Sequence, residues 1–300
     1  MNLFEENEST VIFKVKEDKL DLENFLISKE LSGRLIRRLY KEKKIYVNGK
    51  FVRKGSILNI GDLVSIYMDD EIENTTAEKM DIDIVYEDFD LLILNKQPNI
   101  VVHPTKSHQE NTLSNGIAYY FQEKGIKKKI RFVNRLDMDT TGILIVAKNP
   151  FAHQQMALQF ESNEVEKKYQ AIVSGAVEKE QAFINFPIGR EEDRSIRKTV
   201  IENGQEALTK YTLIERYNNA SFLDVQIFTG RSHQIRVHLE YIGHPIIGDT
   251  LYNEESPYIN RQALHSYYLK IKHPRTGQFM EFIAPLPKDM KELINQLKNK

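Results

Sequence analysis

An acidic, aperiodic stretch, DDEIENTTAEK over residues 69–79, separates two regions that follow different patterns. Before it, apolar residues recur at helical spacing and then alternate around a tight turn. After it, strand patterns dominate to near the C-terminus. A polar run with no periodicity buries nothing, so each side must build its own apolar core.

In the first region Leu22, Phe25 and Leu26, then Leu35, Ile36 and Leu39, fall on helical faces. Ser32-Gly33 interrupts them and predicts two short helices, with Ser32 as the second N-cap. Ile45 to Val47 and Phe51-Val52 flank Asn48-Gly49, a type I′ hairpin signal. Residues 59–62 form another turn before an alternating strand over 63–68. Val11 to Val15 reads as a strand, and residues 1–10 read as disordered. The expected order is a tail and strand over 1–16, a small α+β unit over 17–68, a linker over 69–80 and a larger domain over 81–300. That domain is expected to be α+β, a mixed and mostly antiparallel sheet with flanking helices. Strands are predicted at 82–86, 91–94, 132–133, 143–147, 169–173, 209–214, 222–228, 264–271 and 279–283. Helices are predicted from Thr112, around Phe151 to Phe160, over Ser232 to Ile242 with Ser232 as N-cap, and at the C-terminus.

The formal net charge is −1, so a polyanion partner would have to be met locally. The charges are segregated. Arg34, Arg37, Arg38, Lys41, Lys43, Lys44, Lys50, Arg53 and Lys54 share their stretch with one acid, Glu42. A second basic cluster spans residues 124–131, while acids gather between Asp69 and Asp83. A near-neutral chain can still present a strongly positive face. There is no cysteine, which excludes disulfides and thiolate chemistry and fits a reducing, cytoplasmic setting. No run reaches the roughly 20 apolar residues of a membrane span, and no membrane partner is expected.

Three segments carry chemistry. The loop NRLDMDTTG, Asn134 to Gly142, stands between two apolar strands and sets Asp137 and Asp139 beside Arg135. Loops fixed by rigid strands are common places for catalytic groups, and a carboxylate beside an arginine is favoured in its ionised form. Taken alone, such a loop is more often an Asp-rich turn with a surface ion pair, by roughly three to one. FTGRSHQIRVHL, Phe228 to Leu239, runs from a strand into a helix whose stripe is Ile235, Leu239 and Ile242. Arg236 lies beside that stripe, able to reach a carboxylate or phosphate, and Arg231 and His233 sit in the first turn. EKKYQAIVSG, Glu166 to Gly175, places Tyr169 on one strand face with Ala171 and Val173. His103, His108, His233, His238 and His244 raise a metal site, but no HExxH-type spacing exists, and neither metal nor cofactor is expected.

Together and in this order the segments resemble the RluA/RluD family of pseudouridine synthases. The resemblance rests on Arg135, Leu136, Asp137, Thr140 and Gly142; on Lys167, Tyr169, Ala171, Val173 and Gly175; on Thr229 to Leu239; and on Gly243, His244, Pro245, Gly248, Asp249 and Tyr252. Lys96, Val102, His103 and Pro104, and the late Ala263-Leu264-His265, extend it, so that it covers about residues 80–287. The sequence departs from the family at Asn134 (usually His), Thr141 (usually Ser), Asn99 (usually Gly) and Gln97, which splits a Lys-Pro pair. Residues 17–68 resemble an S4 RNA-binding domain.

The resemblance implies isomerisation of uridine to pseudouridine in RNA, most often ribosomal RNA of the large subunit, with transfer RNA as the other known substrate class. It makes Asp137 the catalytic carboxylate, Arg236 its ion-pair partner and Tyr169 a residue lying against the base. Arg135, Asn134, Thr140, Arg231, His233 and His103 would contact the flipped nucleotide or its strand. Arg34, Arg37, Arg38, Lys41, Lys44 and Lys50 would face phosphates. A monomer is the expected state. The rival reading is a catalytically inactive RNA-binding factor in ribosome assembly.

Overall fold

The computed structural model describes residues 5–69, 73–105, 109–190 and 196–299. In the N-terminal region β1 (Thr10–Lys14), β2 (Leu20–Asp21), α1 (Leu22–Ser28), α2 (Gly33–Lys41), β3 (Ile45–Val47), β4 (Lys50–Phe51), β5 (Ile57–Leu58) and β6 (Leu63–Tyr67) follow one another. Four of these strands form one sheet in the order β1-β6-β3-β4, and β2 pairs β5. Asp21 caps α1 and Ser32 caps α2 by accepting backbone N–H groups. Asn48 and Gly49 both take positive φ, as the two-residue turn demands. Leu22, Leu26, Leu35, Ile36 and Leu39 pack on Val11, Val64 and Ile66 in one core.

That core is not closed by its own residues. Phe151 from the larger region joins it and meets Phe13 edge-on at 5.9 Å. Three buried cations of the larger region also hold the N-terminal chain. Lys128 donates to Ser9 Oγ, Lys148 pairs with Glu8 at 2.9 Å, and Arg275 donates to the Thr10 carbonyl at 2.9 Å. The expected disorder over residues 1–10 therefore does not hold from Glu5 onward, because Thr10 is fully buried and these cations fasten the backbone before it; residues 1–4 lie outside the described residues. The expected linker is likewise docked over 73–80. Glu73 accepts from Ile130 N, Asn115 donates to the Thr76 carbonyl, and Glu78 accepts from Asn111 N. Its polar side chains find backbone partners on the larger region, which a composition argument does not foresee; residues 70–72 lie outside the described residues.

The larger region contains β7 (Ile84–Glu87), β8 (Leu91–Lys96), α3 (Leu113–Lys124), β9 (Arg131–Phe132), β10 (Thr141–Ala147) and α4 (Pro150–Glu161). It continues with β11 (Glu166–Ser174), β12 (Gln181–Asn185), β13 (Ile188–Gly189), β14 (Thr199–Val200), β15 (Leu208–Arg216) and β16 (Ala220–Ile227). It ends with α5 (Gln234–Tyr241), β17 (Leu264–Lys272), β18 (Phe279–Ile283) and α6 (Lys288–Lys298). The fold is α+β. Its main sheet runs β12-β15-β16-β11-β17-β10-β8-β7, with β18 beside β17 and β9 beside β10. Every ladder is antiparallel except β10–β17, which holds only Thr141↔His265 and Gly142↔Ser266. The strands β12, β13 and β14 have no forerunner in the sequence reading: in β12 the burial alternates, but the exposed position 183 is Phe, so Ala182-Phe183-Ile184 shows no polar-apolar alternation, and β13 and β14 are two residues each.

The parallel pair is where the sheet turns from one half to the other, and it admits no side chain at Gly142. A Cβ on Gly142 would lie 2.1 Å from the Ser266 carbonyl oxygen, and φ there is +112°. Alternate residues of β8 and β10 feed two cores. Leu92, Leu94, Leu144 and Val146 join α3, while Leu91, Ile93, Ile143 and Ile145 join α4. The loop 134–140 leads directly into this junction, so its ends are fixed by buried strands. Among the described residues no helix is long and apolar enough to cross a membrane.

Candidate active site

An open cleft lies at the sheet junction, walled by the loop Arg135 to Thr140, by Tyr169 of β11, by Ile227 and by the start of α5. Asp137 comes from the loop. Its turn closes when Thr140 N donates to the Asp137 carbonyl at 3.1 Å, and Leu136 anchors the loop in the core. The side chain is 27% exposed and lines the cleft.

Arg236 arrives from α5 and is 8% exposed at its side chain. Nε and Nη2 donate to the two oxygens of Asp249 at 2.6 and 2.7 Å, and Nη1 donates to Asp137 Oδ2 at 2.9 Å. One guanidinium thus bridges a wholly buried carboxylate and a cleft carboxylate, a geometry that its planar fork permits and an ammonium does not. Burial works against its charge, but Asp249 and Asp137 raise its pKa above the ordinary arginine value. The Tyr252 ring faces it, with the guanidinium carbon 5.0 Å from the centroid.

The start of α5 differs from expectation. The helix begins at Gln234, and Ser232 caps nothing. His233 occupies the cap position in a left-handed conformation, φ +57°. No side chain caps the helix; the Gln234 side chain instead ties the turn before it to β15, its oxygen accepting from Arg231 N and from the Thr229 hydroxyl and its amide donating to Leu208 O and Thr209 Oγ1. Thr209 in turn meets His238 Nδ1 at 2.9 Å, whose Nε2 lies 3.0 Å from the Phe186 carbonyl. A carbonyl only accepts, so Nε2 carries the proton and Thr209 donates to Nδ1. His238 is therefore a buried pillar of the helix.

The twisted start turns His233 toward the cleft. Its Nδ1 lies 2.9 Å from Tyr252 Oη, which also accepts from Lys198 N, and its Nε2 lies 3.9 Å from Asp137 Oδ1. With Tyr252 donating to Nδ1, the Nε2 proton faces Asp137. Burial lowers its pKa; Asp137 raises it and Arg236 lowers it further, so the ring is neutral near pH 7. Tyr169 is 7% exposed, and burial pushes its phenol up to about 12 while a hydrogen bond from Ser266 opposes the shift. It stands as a neutral ring on the cleft floor.

Asp137, Tyr169, Arg236, Arg135, Thr140, Arg231 and His233 all line the one cleft. Arg135 is exposed at its edge. Asn134 and His103 are not among the lining residues. The Asn134 amide is taken up by β10, its oxygen accepting from Ile145 N at 2.8 Å, which anchors the loop. His103 stacks edge-on to Phe132 at 4.5 Å; desolvation and the Arg135 charge hold its pKa below the usual histidine value. His108 lies outside the described residues. On the N-terminal unit Arg34, Arg37, Arg38, Lys41 and Lys50 are exposed, whereas Lys44 is half-buried, paired with Asp69 and set over the Tyr67 ring.

Sequence reasoning did not assign Asp249, Tyr252, Lys96 or Arg261 to the site. The first three stood in matched motifs without a role. Arg261 stood in none, and the Gly248-Asp249 turn held no sign of the partner it would meet.

Three comparisons bear on this arrangement. Residues 90–241 match the family described as RNA pseudouridylate synthase. A Bacillus subtilis (strain 168) protein, Uncharacterized RNA pseudouridine synthase YlyB, is 39% identical over 94% of this chain and 95% of its own length. Ribosomal large subunit pseudouridine synthase D of Pseudomonas aeruginosa is 33% identical over 86% of this chain and 85% of its own length. Among solved structures, Human RNA Pseudouridylate Synthase Domain Containing 1 superimposes with a TM-score of 0.59 at 27% identity, over 73% of this chain and 96% of that one.

Proposed function

The chain belongs to the RNA pseudouridylate synthase family, and from that premise we propose that it converts specific uridines of large-subunit ribosomal RNA to pseudouridine with Asp137 as the reacting carboxylate. The observation that carries the assignment of Asp137 is its place at the cleft, held at 2.9 Å by an arginine that a second, buried carboxylate fixes. The substrate class is supported by the name of the Pseudomonas relative, a ribosomal large subunit enzyme.

The reaction breaks the C1′–N1 bond, turns the base and joins C1′ to C5. The C5 proton leaves and N1 gains one, so nothing is oxidised or reduced. Asp137 either attacks C1′ or faces the cationic sugar left when the base departs; both use a carboxylate aimed at one carbon. Arg236 holds that aim through Asp249. Tyr169, a neutral phenol, offers its ring to the base and does not serve as a standing anion. In this reading Arg135 at the loop edge fills the gap left by an extruded nucleotide, and Arg231 holds the strand. Extrusion costs a few kcal/mol, less at unpaired sites, and backbone contacts offset it.

In this reading residues 17–68 act as an S4-like RNA-binding unit, with Arg34, Arg37, Arg38, Lys41 and Lys50 meeting phosphates. Lys44 contributes less, since Asp69 already neutralises it. The catalytic domain is taken as residues 81–300, and the enzyme as a cytoplasmic monomer.

Pseudouridine mapping of total RNA from a deletion strain should show a lost ribosomal site, restored by the intact gene and not by Asp137→Asn. Asp137→Asn should bind that RNA with nearly unchanged affinity. Restoration by Asp137→Asn would sink the assignment of Asp137, and a complete map in the deletion strain would favour a binding-only factor.

A further inference from the structure

Two buried cations lie beneath the Asp137 loop and do not line the cleft. Lys96 ends β8, opposite Gly142 in the strand register, and is 1% exposed. Its ammonium donates to the carbonyls of Gln97 at 2.8 Å, Ile100 at 3.1 Å and Met138 at 2.6 Å. An ammonium has three donors, and all three are used. Arg261 is also buried. Its Nη1 donates to the carbonyl of Asp139 at 3.1 Å, and Nε and Nη2 hold Asp289 at 2.7 and 2.9 Å. The carbonyls of the two residues after Asp137 are therefore each gripped by a different buried cation. The buried Asp139 Oδ1 makes no hydrogen bond of its own.

Resting on the reading of Asp137 above, we propose that Lys96 and Arg261 are positioning residues that aim Asp137 from below by holding the Met138 and Asp139 carbonyls, and that the grip depends on the Lys96 proton. The charged groups that face Lys96 are Asp139 and Asp137 from the loop and Arg261 from the segment before β17. Burial is the largest influence and draws the amine down to about 7; Asp139 and Asp137 favour its charge, and Arg261 opposes it. A neutral amine keeps two N–H donors, so one of the three carbonyls loses its partner as the proton leaves. Each of the three can be the one released, and release of the Met138 carbonyl leaves the loop one hold fewer directly after the reacting residue. A misplacement of about 1 Å at a reacting group costs on the order of a hundredfold in rate.

The test is single-turnover tritium release from total RNA of a deletion strain, labelled with uridine tritiated at C5, using the full-length protein in excess. Wild type should lose rate as pH rises through about 7, while the enzyme concentration for half-saturation stays constant. Lys96→Met should be slower by on the order of tenfold or more at low pH, with half-saturation within about twofold and no remaining alkaline limb. Arg261→Lys should slow the same step and keep the limb. A flat wild-type profile across neutrality overturns the proposal, and this decides the matter even if Lys96→Met does not fold. A folded Lys96→Met with the wild-type limb overturns it too. An active Asp137→Asn would instead sink the catalytic reading, so the two failures are distinct.

Discussion

Replacing Asp249 by Asn removes one charge and almost no volume from the most buried part of the site. Asp249 has no exposed side-chain surface and accepts two of the three hydrogen bonds that Arg236 makes, at 2.6 and 2.7 Å. At an effective dielectric of 20, unit charges 4 Å apart attract by about 4 kcal/mol. The relief of no longer burying a carboxylate offsets part of that loss. Breaking one partner of a buried pair typically costs about 3–5 kcal/mol, but Arg236 keeps Asp137 as a counter-ion, so about 3 kcal/mol is the expected loss. The guanidinium, no longer shared, should also close on Asp137 and draw it from the reacting carbon, slowing isomerisation by on the order of tenfold or more. Denaturant unfolding read by fluorescence measures the first quantity, and tritium release at saturating enzyme measures the second. A variant within about 0.5 kcal/mol and twofold of wild type would show that Asp249 neither fixes Arg236 nor, through it, Asp137.

Gly142→Ala should destabilise the protein by more than about 3 kcal/mol, or prevent soluble expression, because a Cβ there would lie 2.1 Å from the Ser266 carbonyl; an unfolding midpoint equal to wild type would refute the required approach of β10 and β17. The salt dependence of RNA binding should report which cations meet phosphate. Arg34→Gln or Arg38→Gln should each lower the slope of log K against log salt by about 0.7–0.9, whereas Lys44→Gln, already paired with Asp69, should change it less. Equal effects at all three positions would contradict the proposed use of α2.

Local chemistry made much of this protein legible in one dimension. Ser32 acts within three residues of itself, the Asn48-Gly49 turn needs only its own positive φ, and the period of β8, β10, β11 and β16 follows from strand pleating. The loop from Asn134 to Gly142 was legible for the same reason, as a polar interruption between buried strands. Where the reading failed, a distant partner intervened. Ser32 behaves as its neighbours dictate, but Ser232 loses the helix start to Gln234, whose side chain is held by Thr209 from another strand. The segments 5–10 and 73–80 read as loose because their stabilising partners, Lys148, Arg275 and Asn115, lie far along the chain.

Sequence alone determined which residue types were present, their order, and the elements that bear them: an aspartate in a strand-bound loop, an arginine at the start of a helix, a tyrosine on an inward strand face. Only the tertiary structure decided that they meet, that Asp249 stands behind Arg236, and that Lys96 and Arg261 hold the loop from beneath. The physical reason is that strand and helix patterns arise from neighbours within a few residues. The direction of a charged side chain is set by the nearest opposite charge or open carbonyl in space, and Asp137 and Arg236 stand 99 residues apart.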